Sequence, residues 1–139
     1  MAAFKEGLEK LVEAEDVRVI WGFPKLGSPG FVHPYGENND RYWLAAWLPQ
    51  VEALHHPAVA AGCSHVGFGG TVEFIHAGVP MVTYPHFFDQ PIHADLLVDA
   101  GASLRLHDYP IPATPVPGEG FTMSYPTPLF TANDVFEKF

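Results

Sequence analysis

Phe4, Leu8, Leu11 and Val12 recur at helical spacing and predict an amphipathic helix over residues 3–15. The β-branched run Val17 to Trp21 then predicts a short strand. Residues 22–40 hold Gly22, Pro24, Gly27, Ser28, Pro29, Gly30, Pro34 and Gly36, which makes them a long turn-rich connection. From there the alternation is regular: strand near 42–46, helix 50–55, strand 60–64, helix 70–77 closed by Gly78, strand 80–84, helix 89–99 stopped by Gly101, and strand 103–106. Strands that alternate with helices imply an α/β fold, a Rossmann-like parallel sheet with helices on both faces. Ligands of such sheets sit at the carboxyl ends of the strands.

The pattern breaks at residue 107. Pro110, Pro112, Pro115, Pro117, Pro126 and Pro128 lie in a stretch with no period of either kind, so 107–130 is expected to be an irregular insertion. Residues 131–139 open with Thr131 as a candidate N-cap and have room only for the start of a C-terminal helix. Residues 1–106 then form the single folded unit, and no internal repeat interrupts it.

Composition narrows the function classes. A chain with 47% hydrophobic and 14% aromatic residues can build a core. Its 7 basic residues against 16 acidic ones, with no Lys/Arg cluster, leave no footprint for nucleic acid. No run approaches the ~20 apolar residues of a membrane span, and the first ten residues do not form a secretory signal. The expectation is a cytoplasmic protein. Cys63 is the one cysteine, sits in an apolar run, and is expected to pack as a small hydrophobe.

The candidate chemistry is concentrated between Trp47 and Gln90. An apolar run from Ala58 to Cys63 leads into His65-Val66-Gly67-Phe68-Gly69-Gly70-Thr71, and then into Val72, Ile75 and Ala77. Strand, glycine turn and helix in that order direct backbone N–H groups and the positive helix end at an anion, and the glycines let a diphosphate come close. The glycines alone are weak evidence: Val72 stands where a dinucleotide fingerprint needs a third glycine, and no Lys follows to make a P-loop.

Taken together, the segment resembles the signature box of the family 1 UDP-glycosyltransferases, which have the two-domain GT-B fold. The matching residues are Trp47, Pro49 and Gln50, His56-Pro57, His65, Gly67, Thr71, Glu73, Gly78-Val79-Pro80, Pro85 and the closing Asp89-Gln90. The resemblance implies that Trp47 stacks on uracil, Gln50 lies by the nucleoside and Glu73 accepts from the ribose hydroxyls. It also implies that His65 and the turn amides hold the diphosphate, while Asp89 and Gln90 contact the donor sugar. Gly69 and Gly70 stand where plant members usually carry Asn and Ser, and Phe68 replaces a usual Trp. Phosphate contacts at Gly67, Gly69 and Gly70 would therefore come from backbone N–H groups and Thr71 Oγ1, as in glycine-rich bacterial and sterol-type relatives.

Simpler roles compete at several positions. His65 could be a core histidine, Trp47 a core tryptophan, and Glu73 an acid favoured by the first turn of its helix. Asp89 could cap the next helix, with Pro91 in its first turn, and both of its roles can hold together. His86, Asp89 and His93 fall at a spacing that one helix face could present to a metal, but the box accounts better for Asp89; no metal and no cofactor is expected.

By resemblance, then, the chain is the C-terminal, donor-binding half of a GT-B fold, truncated at both ends and without its first strand. Its donor is a UDP-sugar, UDP-glucose by the Asp89-Gln90 pair. The full-length parent would transfer a hexose with inversion to a hydroxyl of a small lipophilic acceptor. The catalytic base lies in the N-terminal domain of the family, so no catalytic residue is assigned here and the isolated chain is expected to be inactive. Its partners would be donor, acceptor, and the missing domain or a partner chain. Two rivals remain open: a non-catalytic interaction module and an incomplete gene model. A UDP response sensitive to His65→Ala and Glu73→Ala separates the donor site from the first rival, and an upstream reading frame encoding the missing strand and acceptor domain would reveal the second.

Overall fold

The computed structural model describes residues 2–23, 29–30, 32–86 and 88–106. The expected insertion over 107–130 and the helix over 131–139 lie outside them. The elements follow in the order α1 (Ala2–Ala14), β1 (Val19–Gly22), β2 (Tyr42–Ala45), α2 (Gln50–Leu54), β3 (Gly62–Ser64), α3 (Phe68–Ala77), β4 (Met81–Thr83), α4 (Gln90–Asp99) and β5 (Ser103–Arg105). Every element predicted within the described residues is present. Most shifted strand ends are one or two residues shorter than the pattern predicts, whereas β1 runs one residue further, to Gly22, which pairs with Ala45.

The five strands form two parallel sheets among the described residues, β1–β2 and β3–β4–β5, where the sequence pattern had implied a single sheet. Val19 pairs with Tyr42, Gly62 with Met81, and Met81 with Ser103, so each crossover carries a helix or the 22–40 connection. β4 is central in its sheet and buried on both faces. Side chains alternate along a strand, and β4 uses this to serve two cores. Met81 joins Leu54, Val66, Phe74, Val79, Ala94 and Leu97 on the α2–α3–α4 side. Val82 joins Leu8 and Leu106 on the α1 side, where Phe4, Leu11, Val19, Trp21, Cys63 and Tyr84 also pack.

α1 therefore spans both sheets with the apolar stripe that its periodicity predicts. Its polar face carries the i,i+4 pairs Lys5–Glu9 and Glu6–Lys10, which stabilise by only a few tenths of a kcal/mol at such exposure. Among the described residues no element covers the other face of the small sheet. Ile20 and Trp43, partners in the β1–β2 register, are about half exposed. Among the described residues, helices thus cover both faces of the β3–β4–β5 sheet but only one face of β1–β2.

Burial pushes the Cys63 thiol from its ordinary 9.0 up to about 12. The thiolate is disfavoured in the folded chain, so any stability tied to Cys63 is complete below pH 9.0 and declines as pH rises toward about 12. Iodoacetamide at pH 8 is expected to alkylate Cys63 more slowly in the folded chain than in denaturant, as intact mass will report. Labelling as fast without denaturant as with it would refute this shielding.

Candidate functional site

All ten candidate residues follow the carboxyl ends of parallel strands. Trp47 and Gln50 come after β2, His65, Gly67, Gly69, Gly70, Thr71 and Glu73 after β3, and Asp89 and Gln90 after β4. The order of the chain thus brings three loops to one end of the fold, where parallel sheets place their ligands.

The phosphate-type turn lies at its centre. β3 ends at Ser64, and α3 starts at Phe68 with Gly67 as N-cap and no side-chain cap. The first-turn amides of α3 therefore lack the side-chain acceptor that usually satisfies them. The helix is closed by Gly78 in the left-handed region (φ 68°), where Gly78 N–H donates to Ile75 C=O and Val79 N–H to Phe74 C=O. Because α3 begins two residues earlier than its pattern predicts, Glu73 lies in the second turn. The helix dipole is thus not what favours an acid there.

Glu73 has a specific partner instead. Gln50 Nε2, at the start of α2, donates to Glu73 Oε2 at 2.7 Å. A Cβ built on Gly70 would stand 3.7 Å from Gln50 Nε2 and 3.6 Å from Ser64 Oγ, so α2 lies against the first turn of α3. One carboxylate oxygen is held while the other keeps its lone pairs, which suits a group that accepts from a diol. Trp47, just before α2, is 77% exposed and its indole makes no hydrogen bond or ring contact among the described residues. It is not a core tryptophan in this structure.

His65 is exposed at the mouth of the turn. Its Nε2 lies 2.6 Å from where a Cβ on Gly67 would fall, so a side chain at position 67 would crowd the imidazole although the φ of −59° suits any residue. The His86 ring, after β4, stands 6.5 Å from the His65 ring, and His86 N–H donates to the Oε1 of buried Gln90 at 2.8 Å. Asp89 is the N-cap of α4 without a side-chain cap bond, Pro91 follows in the first turn, and the Asp89 carboxylate is exposed. Thr71 differs from its expected setting. The residue is buried, and its Oγ1 is buried with no hydrogen-bond partner among the described residues, so backbone amides and His65 are the groups presented at the turn.

Gly67→Ala is therefore expected to leave thermal stability nearly unchanged, because an exposed imidazole can swing away. It should still displace the His65 ring and weaken anion binding at the turn by roughly tenfold. A melt alongside a UDP titration checks both, and unchanged affinity would refute the crowding of His65 by residue 67.

Residues 7–113 match the family described as UDP-glucoronosyl and UDP-glucosyl transferase. The chain belongs to this family. UDP-glucosyltransferase 74AE2 of Panax ginseng is 40% identical over 63 residues, which covers 45% of this chain and 14% of that protein. A β-D-glucosyl crocetin β-1,6-glucosyltransferase of Gardenia jasminoides is 31% identical over 115 residues, 73% of this chain and 26% of that protein. Among solved structures, Os79 from O. sativa in complex with UDP superimposes with TM-score 0.70 over 99% of this chain and 26% of its own, at 21% identity, a likeness of fold. The glycotransferase of kitacinnamycin gives TM-score 0.60 at 27% identity over 73% of this chain and 25% of its own. The chain thus spans about a quarter or less of the length of these relatives.

Among the candidate residues the structure brings Gln50 against Glu73, the His65 ring beside Gly67, and Gln90 against the backbone of His86. Ser64, His93 and Gly62 were not legible from the sequence as part of this arrangement. Ser64 Oγ accepts from Val66 N–H at 3.0 Å, His93 Nδ1 donates to Val66 C=O at 3.0 Å, and Gly62 lies under the Phe74 ring. A serine ending a strand just before a turn, and a His four residues after an Asp, were the available signals. Among the described residues no three His, Cys, Asp or Glu side chains converge as a metal-ligand set, and no helix is long and apolar enough to cross a membrane.

Proposed function

We propose that residues 1–106 are the donor-binding unit of a UDP-sugar-dependent glycosyltransferase. The observation that carries this reading is the Gln50–Glu73 hydrogen bond at 2.7 Å, which orients a carboxylate beside an uncapped glycine turn. Glu73 would accept from the ribose diol, and exposed Trp47 would offer a ring face to uracil. The first-turn amides of α3 and His65 would receive the diphosphate, and Asp89 with Gln90 would meet the donor sugar, glucose on the family's pattern.

In the whole enzyme, a base outside this chain takes the proton of an acceptor hydroxyl. The hydroxyl oxygen forms its bond to the anomeric carbon with inversion, and the carbon–phosphate oxygen bond breaks. The electron pair leaves with UDP, whose charge His65 and the α3 N-terminus stabilise before and during cleavage. A small lipophilic alcohol is the acceptor class that the resemblance supports. The chain alone holds donor and does not transfer it.

The test is an amide-resolved NMR titration with UDP and then UDP-glucose. Shifts confined to Trp47, residues 65–73 and residues 89–90 are expected. Dispersed spectra that ignore both ligands would overturn the reading and favour an interaction module, for which the half-exposed Ile20 and Trp43 on the open face of β1–β2 would be the surface.

A further inference from the structure

The turn between β3 and α3 contains an anomaly that the box does not explain. Val66 is fully buried and has a φ of +55°, a conformation that a β-branched residue rarely adopts. Such a residue persists only where its surroundings over-determine it. Here two side chains do so. Ser64 Oγ accepts from Val66 N–H at 3.0 Å, and His93 Nδ1, on α4, donates to Val66 C=O at 3.0 Å.

Peptide planarity turns the second bond into a constraint on the binding turn. The Val66–Gly67 peptide is trans, so its C=O and N–H point in opposite directions. Pinning the carbonyl toward α4 aims the Gly67 N–H away from α4. Because a carbonyl oxygen only accepts, Nδ1 carries a hydrogen, and Nε2, 3.5 Å from Asp89 Oδ2, attracts that carboxylate in the imidazolium form, in which both ring nitrogens carry hydrogen. One half-buried imidazole thus touches both the residue assigned to the sugar and the peptide that opens the phosphate turn.

We propose that His93 is a positioning residue that couples the sugar-binding and diphosphate-binding ends of the donor site. The proposal rests on the donor-site reading above. The Nδ1 bond sets the turn for the diphosphate, and in the imidazolium form the Nε2 contact sets the Asp89 carboxylate for the sugar. The two halves are separable by chemistry. An Asn side chain can place an amide donor where Nδ1 stands but cannot reach Asp89, and Ala does neither.

The experiment measures affinities of the full 139-residue chain and of His93→Ala and His93→Asn for UDP and for UDP-glucose, with amide dispersion as the folding control. His93→Ala is expected to weaken both ligands by roughly three- to tenfold, the range one net hydrogen bond supports. His93→Asn should recover the affinity for UDP but not the ratio of UDP-glucose to UDP affinity found in the unmodified chain. A merely structural role would lower stability without separating that ratio from UDP affinity. If His93→Ala does not fold, His93→Asn alone decides: native UDP affinity with a reduced ratio supports the proposal, and a native ratio overturns it. UDP affinity blind to both substitutions also overturns it. No UDP response in the unmodified chain overturns the donor-site reading, and the coupling falls with it.

Discussion

Replacing Glu73 with Ala is expected to lower UDP affinity about ten- to hundredfold, the range of a hydrogen bond to a charged group. Glu73 is half-buried, and one of its oxygens already accepts from Gln50 Nε2. The remaining lone pairs therefore point in a direction fixed before ligand arrives, and little ordering is left for binding to offset. Gln50→Ala keeps the carboxylate but frees its rotation, so it should weaken UDP by only about threefold. Glu73→Gln retains an acceptor without the charge and should fall between the two. Isothermal titration with UDP orders the three variants. An affinity for Glu73→Ala equal to that of the unmodified chain would remove the ribose contact from the proposal.

Gly62→Ala is the substitution with the largest expected effect on stability. A Cβ at position 62 would lie 2.4 Å from Phe74 Cε1 and 2.6 Å from Cζ, well inside contact distance. Phe74 is 6% exposed and packs with Val66, Met81, Ala94 and Leu97, so its ring has no open side to move into. Overpacking of this kind costs about 1–3 kcal/mol. Urea unfolding followed by tryptophan fluorescence should show a lower midpoint with the slope retained. Phe74→Leu should restore part of the loss in the Gly62→Ala background, because the clash then disappears. An unshifted midpoint in Gly62→Ala would refute the close approach of β3 to α3. Since α3 carries the turn at its other end, this approach also sets where the turn sits relative to β3.

The periodicity of the chain located every described helix and strand, since apolar stripes at 3.6 or 2.0 residues record which face meets a core. Boundaries were less legible. α3 begins at Phe68, before its apolar stripe, because the backbone of the glycine turn already follows helical geometry there. That shift moved Glu73 out of the first turn and replaced a dipole argument with a hydrogen bond to Gln50. The separation of β1–β2 from β3–β4–β5 was also hidden, because pairing depends on strand neighbours rather than on any one strand's pattern.

The sequence by itself determined the fold class, the family and the identity of the box residues, because these depend on local pattern and on fixed spacing along the chain. Tertiary structure alone decided that Trp47 is exposed, that Thr71 Oγ1 is buried, and that Ser64 and His93 hold a left-handed Val66. Each of these is a relation between elements brought together by two cores on opposite faces of β4. No local spacing records such a relation, because the partners meet only once the sheet has ordered the helices around it.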